Sequence, residues 1–234
     1  MTHLLPLALA VAPGLALAVY VYWRDKFEKE PLRWVAISFF LGLPAAFCAA
    51  IVSLSLSERL QNFFPPQEIL QKTAEAFLGV ALVEEFFKFL MIRLFLLHKP
   101  FFNEPYDGIT YSVMVSLGFA TIENILYVLE GGISTALLRM FTAVPAHAVF
   151  GVMMGYHLGM YRFYPNKAYH KNMALIAPIL LHGFYDLSLF LHNIPFMFLG
   201  ALVSLLIGVR LSLRAIKLHQ ERSPFQQHPH LPMG

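Results

Sequence analysis

The chain has 234 residues, of which 58% are apolar and only 13% charged, with a mean hydropathy of +0.61 and a formal net charge of +3. A soluble domain carries roughly 25% charged residues, so most of this surface must face lipid rather than water. The single cysteine, Cys48, excludes an intramolecular disulfide and a cysteine-rich metal site, and the scattered basic residues exclude a nucleic-acid patch.

Apolar runs of about 20 residues are long enough to cross a bilayer as helix. Seven such runs follow one another, over 4–23, 33–56, 74–97, 109–130, 142–163, 173–192 and 195–214. The first has no basic lead-in and is followed by Arg24, Lys26, Lys29 and Arg33, which reads as a retained helix rather than a cleaved signal. Residues 57–72 mix charge with Leu60, Phe63, Phe64, Ile69 and Leu70 and are interrupted by Pro65 and Pro66, so they read as a segment lying on the outer interface. Residues 131–141, opened by Gly131-Gly132, read as a similar lead-in to the fifth span. The expected organisation is one all-α polytopic transmembrane bundle over residues 1–214. A polar, disordered cytoplasmic tail is expected over 215–234, with His219, His228 and His230 solvated.

Basic residues orient the spans. With seven spans, one side holds Arg24, Lys26, Lys29, Arg33, Arg93, Lys99, Arg162, Lys167, Lys171, Arg210, Arg214, Lys217 and Arg222, against Arg59, Lys72 and Arg139 on the other. That asymmetry predicts an outside N-terminus and a cytoplasmic C-terminus.

A charge at the centre of a spanning helix costs roughly 2.5–3.5 kcal/mol on insertion scales. This chain meets that cost repeatedly. The third run holds Glu84, Glu85 and Lys88, the fourth Glu123 and Asn124, the fifth His147, and the sixth His182 and Asp186. At about 1.5 Å of rise per residue, Glu84 and His182 lie roughly 15–16 Å below the outer surface, and Asp186, Glu123 and His147 about 8–10 Å below it. One shared pocket in the outer half of the membrane would serve them all. Helical spacing agrees: Glu84 with Lys88 and His182 with Asp186 are i,i+4 pairs, and Glu85 with Lys88 is i,i+3. His147, Gly151, Gly155 and Gly159 form one row whose glycines permit close helix approach.

Carboxylates with imidazoles suit a zinc ion, and His147, His182, Asp186 and Glu84 are the candidate ligands. A buried glutamate could instead activate water without metal. Either chemistry is hydrolysis within the membrane. Blander readings stand beside it: Lys88 as an ion-pair partner, His182 with Asp186 as a packing hydrogen bond, and Glu123 and Asn124 as interhelical bridges. A proton-coupled transporter is the rival function. No internal repeat and no pair of broken half-helices support it.

The order Glu84-Glu85-x-x-Lys88, Phe119-x-x-x-Glu123-Asn124, His147 and His182-x-x-x-Asp186 resembles the PrsW family of intramembrane proteases, as does the early loop Asp25-Lys-Phe-Glu28-Lys-Glu30-Pro31. The likeness runs from about residue 20 to 192. It implies a multi-pass protease of the bacterial cytoplasmic membrane that cleaves a single-span protein, an anti-sigma factor, near its outer side. The family is distantly similar to prenyl-protein endopeptidases, which gives a second substrate class. By that likeness Glu84 and Glu85 with His147 and His182 form the catalytic centre; the reading of the residues themselves adds Lys88, Glu123 and Asn124 to the catalytic set. Asn124 is placed there as an oxyanion donor, and Lys88 sets the charge of the glutamate pair.

Overall fold

A computed structural model describes residues 4–64 and 68–227. Pro65, Pro66, His228 and His230 lie outside the described residues. Every regular element described is helical. The helices are α1 (Leu4–Arg24), α2 (Leu32–Phe63), α3 (Glu68–Ala74), α4 (Leu82–Phe95), α5 (Pro105–Phe141), α6 (Ala143–Phe163), α7 (Lys167–Phe190) and α8 (Phe198–Gln220). A π-helical segment, Glu75–Ala81, joins α3 to α4, and a short 3₁₀ turn, Pro224–Gln227, follows α8.

Among the described residues, five stretches are long and apolar enough to cross a membrane: Leu5–Arg24, Leu32–Phe63, Pro105–Phe163, Lys167–Phe190 and Phe198–Gln220. The third of these contains both α5 and α6. The run expected over 74–97 is divided between α3, the π segment and α4. Large apolar side chains such as Phe40, Leu94, Phe141, Leu202 and Leu206 are bare on the outside of the bundle. A protein in water would bury them, whereas lipid receives them at no cost.

The bundle is built around α5. From Pro105 to Thr121 every residue of that helix is buried, and the sequence explains why. Its Ser, Thr and Gly residues are small enough for neighbours to close in on all sides, and its Ile, Val, Met and Leu fill the gaps. The glycine row of α6 packs on it: a methyl at Gly155 would come within 2.2 Å of the Gly108 carbonyl, and one at Gly159 within 2.3 Å of the Pro105 carbonyl. His147 begins that row and therefore faces α5.

Two expected boundaries move. α2 runs on to Phe63, so the first part of the 57–72 segment continues the helix, with Leu60 buried. Nothing in Ser57–Phe63 breaks a helix before the prolines do. α8 continues to Gln220, placing the first six residues of the expected tail in an ordered helix. Ala215, Ile216, His219 and Gln220 are buried there, so the apolar face of α8 outlasts the hydropathy signal.

The basic loops meet at one end of the bundle. Asn103 Nδ2 donates to Glu28 Oε1 at 3.2 Å, Arg162 donates to the carbonyls of Leu97 and Lys99, and Gln220 Nε2 donates to the Arg24 carbonyl. This end is called the basic end below.

Candidate active site

α4 turns Glu85 and Lys88 inward, where both are completely enclosed. The π segment before it adds a residue to each turn, re-phasing the helix and widening it at the site. α7 comes against that segment through Gly183, where a methyl group would lie 2.4 Å from Phe77 Cδ1. That close approach sets the neighbouring His182 against Glu85.

The resulting network is continuous. Lys88 Nζ donates to Glu85 Oε1 at 2.8 Å, to His147 Nδ1 at 3.1 Å and to Glu84 Oε2 at 3.4 Å. An ammonium group only donates, so His147 Nδ1 accepts and its Nε2–H donates to Glu123 Oε2 at 2.8 Å. His182 places Nδ1 2.9 Å from Glu85 Oε1 and Nε2 3.2 Å from Asp186 Oδ2. Its ring stacks on Phe150 with centroids 4.6 Å apart, which fixes the ring plane. The Lys88 ammonium also sits 4.2 Å over the Phe119 ring.

A cavity of about 970 Å³ opens beside this network. Glu84, Glu123, His147, His182, Asp186 and Arg139 line it, with Ala46, Ala49, Ala50 and Ser53 of α2 forming part of the opposite wall. It extends to Ser57, Glu130 and Phe190, at the helix ends opposite the basic end. Glu85 and Lys88 stand behind the wall. The glutamate pair therefore divides into Glu84 at the cavity and Glu85 at its support.

Metal-donor geometry closes on Glu84, Glu123 and His147, whose ligand atoms lie within 4.8 Å of one another. Two carboxylate oxygens and an imidazole nitrogen suit a zinc-like ion and leave a coordination position free. In this structure His147 Nε2 is hydrogen-bonded to Glu123, so metal uptake there displaces a proton. His182 and Asp186 pair with each other and stand outside that donor trio. Asn124 turns away from the cavity: its Nδ2 donates to the Ala10 carbonyl at 2.8 Å, tying α5 to α1, and its Oδ1 accepts from Arg139 Nε at 2.9 Å.

Arg139, which the sequence presents only as an outer basic residue, also lines the cavity. Its Nη2 lies 3.3 Å from Glu123 Oε2 and its guanidinium 4.1 Å from the Tyr127 ring centre. The clue was an arginine seven residues beyond a Gly-Gly pair.

A second acidic cluster occupies the basic end. Asp25, Glu30, Glu104 and Asp107 are all nearly or completely buried. Asp107 Oδ2 accepts the N–H groups of Asn103 at 2.6 Å and Glu104 at 2.8 Å, and Tyr111 donates to Glu30. Lys29 is near but spends its ammonium on main-chain carbonyls, at 2.8 Å from Tyr22 and 3.2 Å from Trp23. Burial pushes Asp25 up to about 7 and Glu104 up to about 8, and raises Glu30 as well.

An all-helical membrane bundle with carboxylates and imidazoles facing an internal cavity is the architecture of an intramembrane protease, and the family comparison agrees. Residues 30–211 match the model of the PrsW family intramembrane metalloproteases, and the chain belongs to the PrsW family. It is 41% identical over 177 residues to Protease PrsW of Geobacillus kaustophilus, covering 75% of this chain and 76% of the relative. It is 38% identical over 184 residues to Protease PrsW of Bacillus subtilis (76% and 80%), and 35% identical over 188 residues to that of Clostridioides difficile (77% and 77%). No solved structure matches the chain.

Proposed function

We propose that this protease hydrolyses a peptide bond of a single-span membrane protein, an anti-sigma factor, at the Glu84–Glu123–His147 trio. The observation that carries the reading is the convergence of those three donors, from three helices, on a cavity within the bundle. In this reading the basic end faces the cytoplasm of a bacterial cell, with seven crossings of the inner membrane, the N-terminus outside and the cavity in the outer half of the bilayer; the excess of Lys and Arg in those loops supports it.

Glu84, Glu123 and His147 would hold a divalent ion of the zinc type, and such an ion supplies a bound water of near-neutral pKa and polarises a carbonyl. The chain's own groups do the rest. His182, held between Asp186 and Glu85, is positioned to carry a proton towards the leaving amine. Lys88 offsets Glu84 and Glu85 from behind and fixes the His147 ring. The small-residue face of α2 leaves room for an unwound substrate segment across the cavity.

The test is cleavage of a single-span anti-sigma protein by the purified enzyme, alongside metal content. Glu84→Gln and His182→Ala should each abolish cleavage, and thorough chelation should remove activity that zinc restores. Wild-type rates in both variants would sink the reading. Chelation-resistant cleavage lost in Glu84→Gln would move the chemistry to direct water activation by Glu84.

A further inference from the structure

The cavity has one arginine among its lining residues, and the backbone goes out of its way to deliver it. Arg139 is 16 residues after Glu123 in the same long helix, too far for a straight helix to return it. The helix is broken at Gly132, with φ 70° and ψ −157°, a conformation that essentially only glycine adopts. Beyond the break, residues 133–141 form a separate helical segment. Ala136 packs it against Ala10 of α1 and Val128 of α5. Arg139 then points back over the first half of α5.

The contacts there form a clamp. Arg139 Nη2 is 3.3 Å from Glu123 Oε2, Nε donates to Asn124 Oδ1 at 2.9 Å, and the guanidinium plane covers Tyr127. Glu123 Oε2 is the same oxygen that accepts from His147. A planar guanidinium held by three neighbours fixes a carboxylate in a way that a point-charge ammonium cannot. Asn124, through Ala10, ties the clamp to α1.

We infer that Arg139 is a positioning residue for Glu123, and that docking of the 133–141 segment is a condition for assembling the active site. The inference rests on the proteolytic reading given above. Arg139 acts on Glu123, which faces the reaction, and needs no contact with substrate. Gly132 is the hinge that permits this: an added methyl there would meet nothing within 4 Å, so any effect of filling it comes through the backbone alone.

The experiment uses the full-length enzyme in lipid nanodiscs with a single-span test protein and reads kcat and KM separately. Arg139→Gln should lower kcat by roughly 10–100-fold with KM within about 2-fold, the usual scale for losing an outer-shell orienting group. Arg139→Lys should recover only part of it, and guanidinium ion added to Arg139→Ala should restore activity. Gly132→Ala should give a similar kcat loss, and the double variant Gly132→Ala/Arg139→Gln should be no worse than either alone. Multiplicative losses would overturn the docking condition. A kcat for Arg139→Gln within about 2-fold of wild type, while Glu84→Gln is inactive, would overturn the positioning role and leave the protease reading standing. Unchanged cleavage in Glu84→Gln would remove that reading itself.

Discussion

The centre around His147 and the cluster around Glu104 each gather four carboxyl groups, yet only the first surrounds them with nitrogen cations and donors. Around His147, Lys88, Arg139 and two histidines answer Glu84, Glu85, Glu123 and Asp186. Around Glu104, among the described residues, no lysine or arginine pairs with Asp25, Glu30, Glu104 or Asp107. Backbone N–H groups answer Asp107 and the Tyr111 hydroxyl answers Glu30 instead. The first arrangement keeps charge inside the membrane beside a cavity. In the second, burial raises Asp25, Glu30 and Glu104 above the ordinary carboxyl range at the loop end of the bundle. Burial of an acid is therefore uninformative alone: partners and access to a cavity distinguish a reactive site from a structural knot.

The largest expected effect tests that contrast directly. Glu84→Gln should reduce the cleavage rate roughly 10³-fold or more, as loss of a group acting in the reaction does. Glu104→Gln, at a more deeply buried acid, should leave kcat within a few-fold. Parallel kinetics on one test protein measure both, and a crippled Glu104→Gln would dissolve the distinction.

Next in size is the loss of the buried cation. Lys88→Met strands Glu84 and Glu85, and breaking a buried pair costs about 3–5 kcal/mol. The expected outcome is a sharp drop in folded yield and unfolding temperature. Glu85→Gln/Lys88→Met should recover much of the stability without recovering activity, because the uncompensated charge at 2.8 Å has gone while the support of His182 has not returned.

Metal affinity should separate the two clusters by pH. At the centre, uptake displaces the proton between His147 and Glu123, so affinity for zinc should rise about tenfold per pH unit for each proton released. Titration of zinc into wild type and His147→Ala at several pH values measures this, and the variant should lose both the binding and its slope.

How far these differences could be read from the sequence follows physical range. The pairs Lys88 with Glu84 and Glu85, and His182 with Asp186, obey helical spacing, and their depths predict that they meet. The glycine row that aims His147 at α5 is equally local. Arg139 escaped because its position depends on a backbone reversal at Gly132, and nothing in a Gly-Gly pair specifies the direction of return. Asn124 stands out in the sequence, but its partner is not legible there, because the Ala10 carbonyl it bridges to is 114 residues away. The π segment escaped because composition does not distinguish a helix of wider turns. Glu104 and Asp107 escaped because they lie at a span edge, where an acid is ordinary until tertiary packing encloses it.

The smallest expected effect concerns that enclosed edge. Asp25 and Glu104 have folded values of about 7 and 8, above the ordinary carboxyl values of 3.8 and 4.5, because burial disfavours their charged forms. Over that interval the folded state therefore binds more protons than the unfolded state. Its stability falls as pH rises from about 4 to 8 and levels off above. The unfolding temperature of the wild-type protein should drop across that window, by roughly 2–4 °C for each kcal/mol lost. Glu104→Gln, which cannot ionise, should flatten the drop and gain its advantage on the alkaline side. A thermal-melt series from pH 5 to 9 on wild type, Glu104→Gln and Asp25→Asn decides the point. Identical slopes in all three would mean that the basic-end cluster is not where the protein stores its protons.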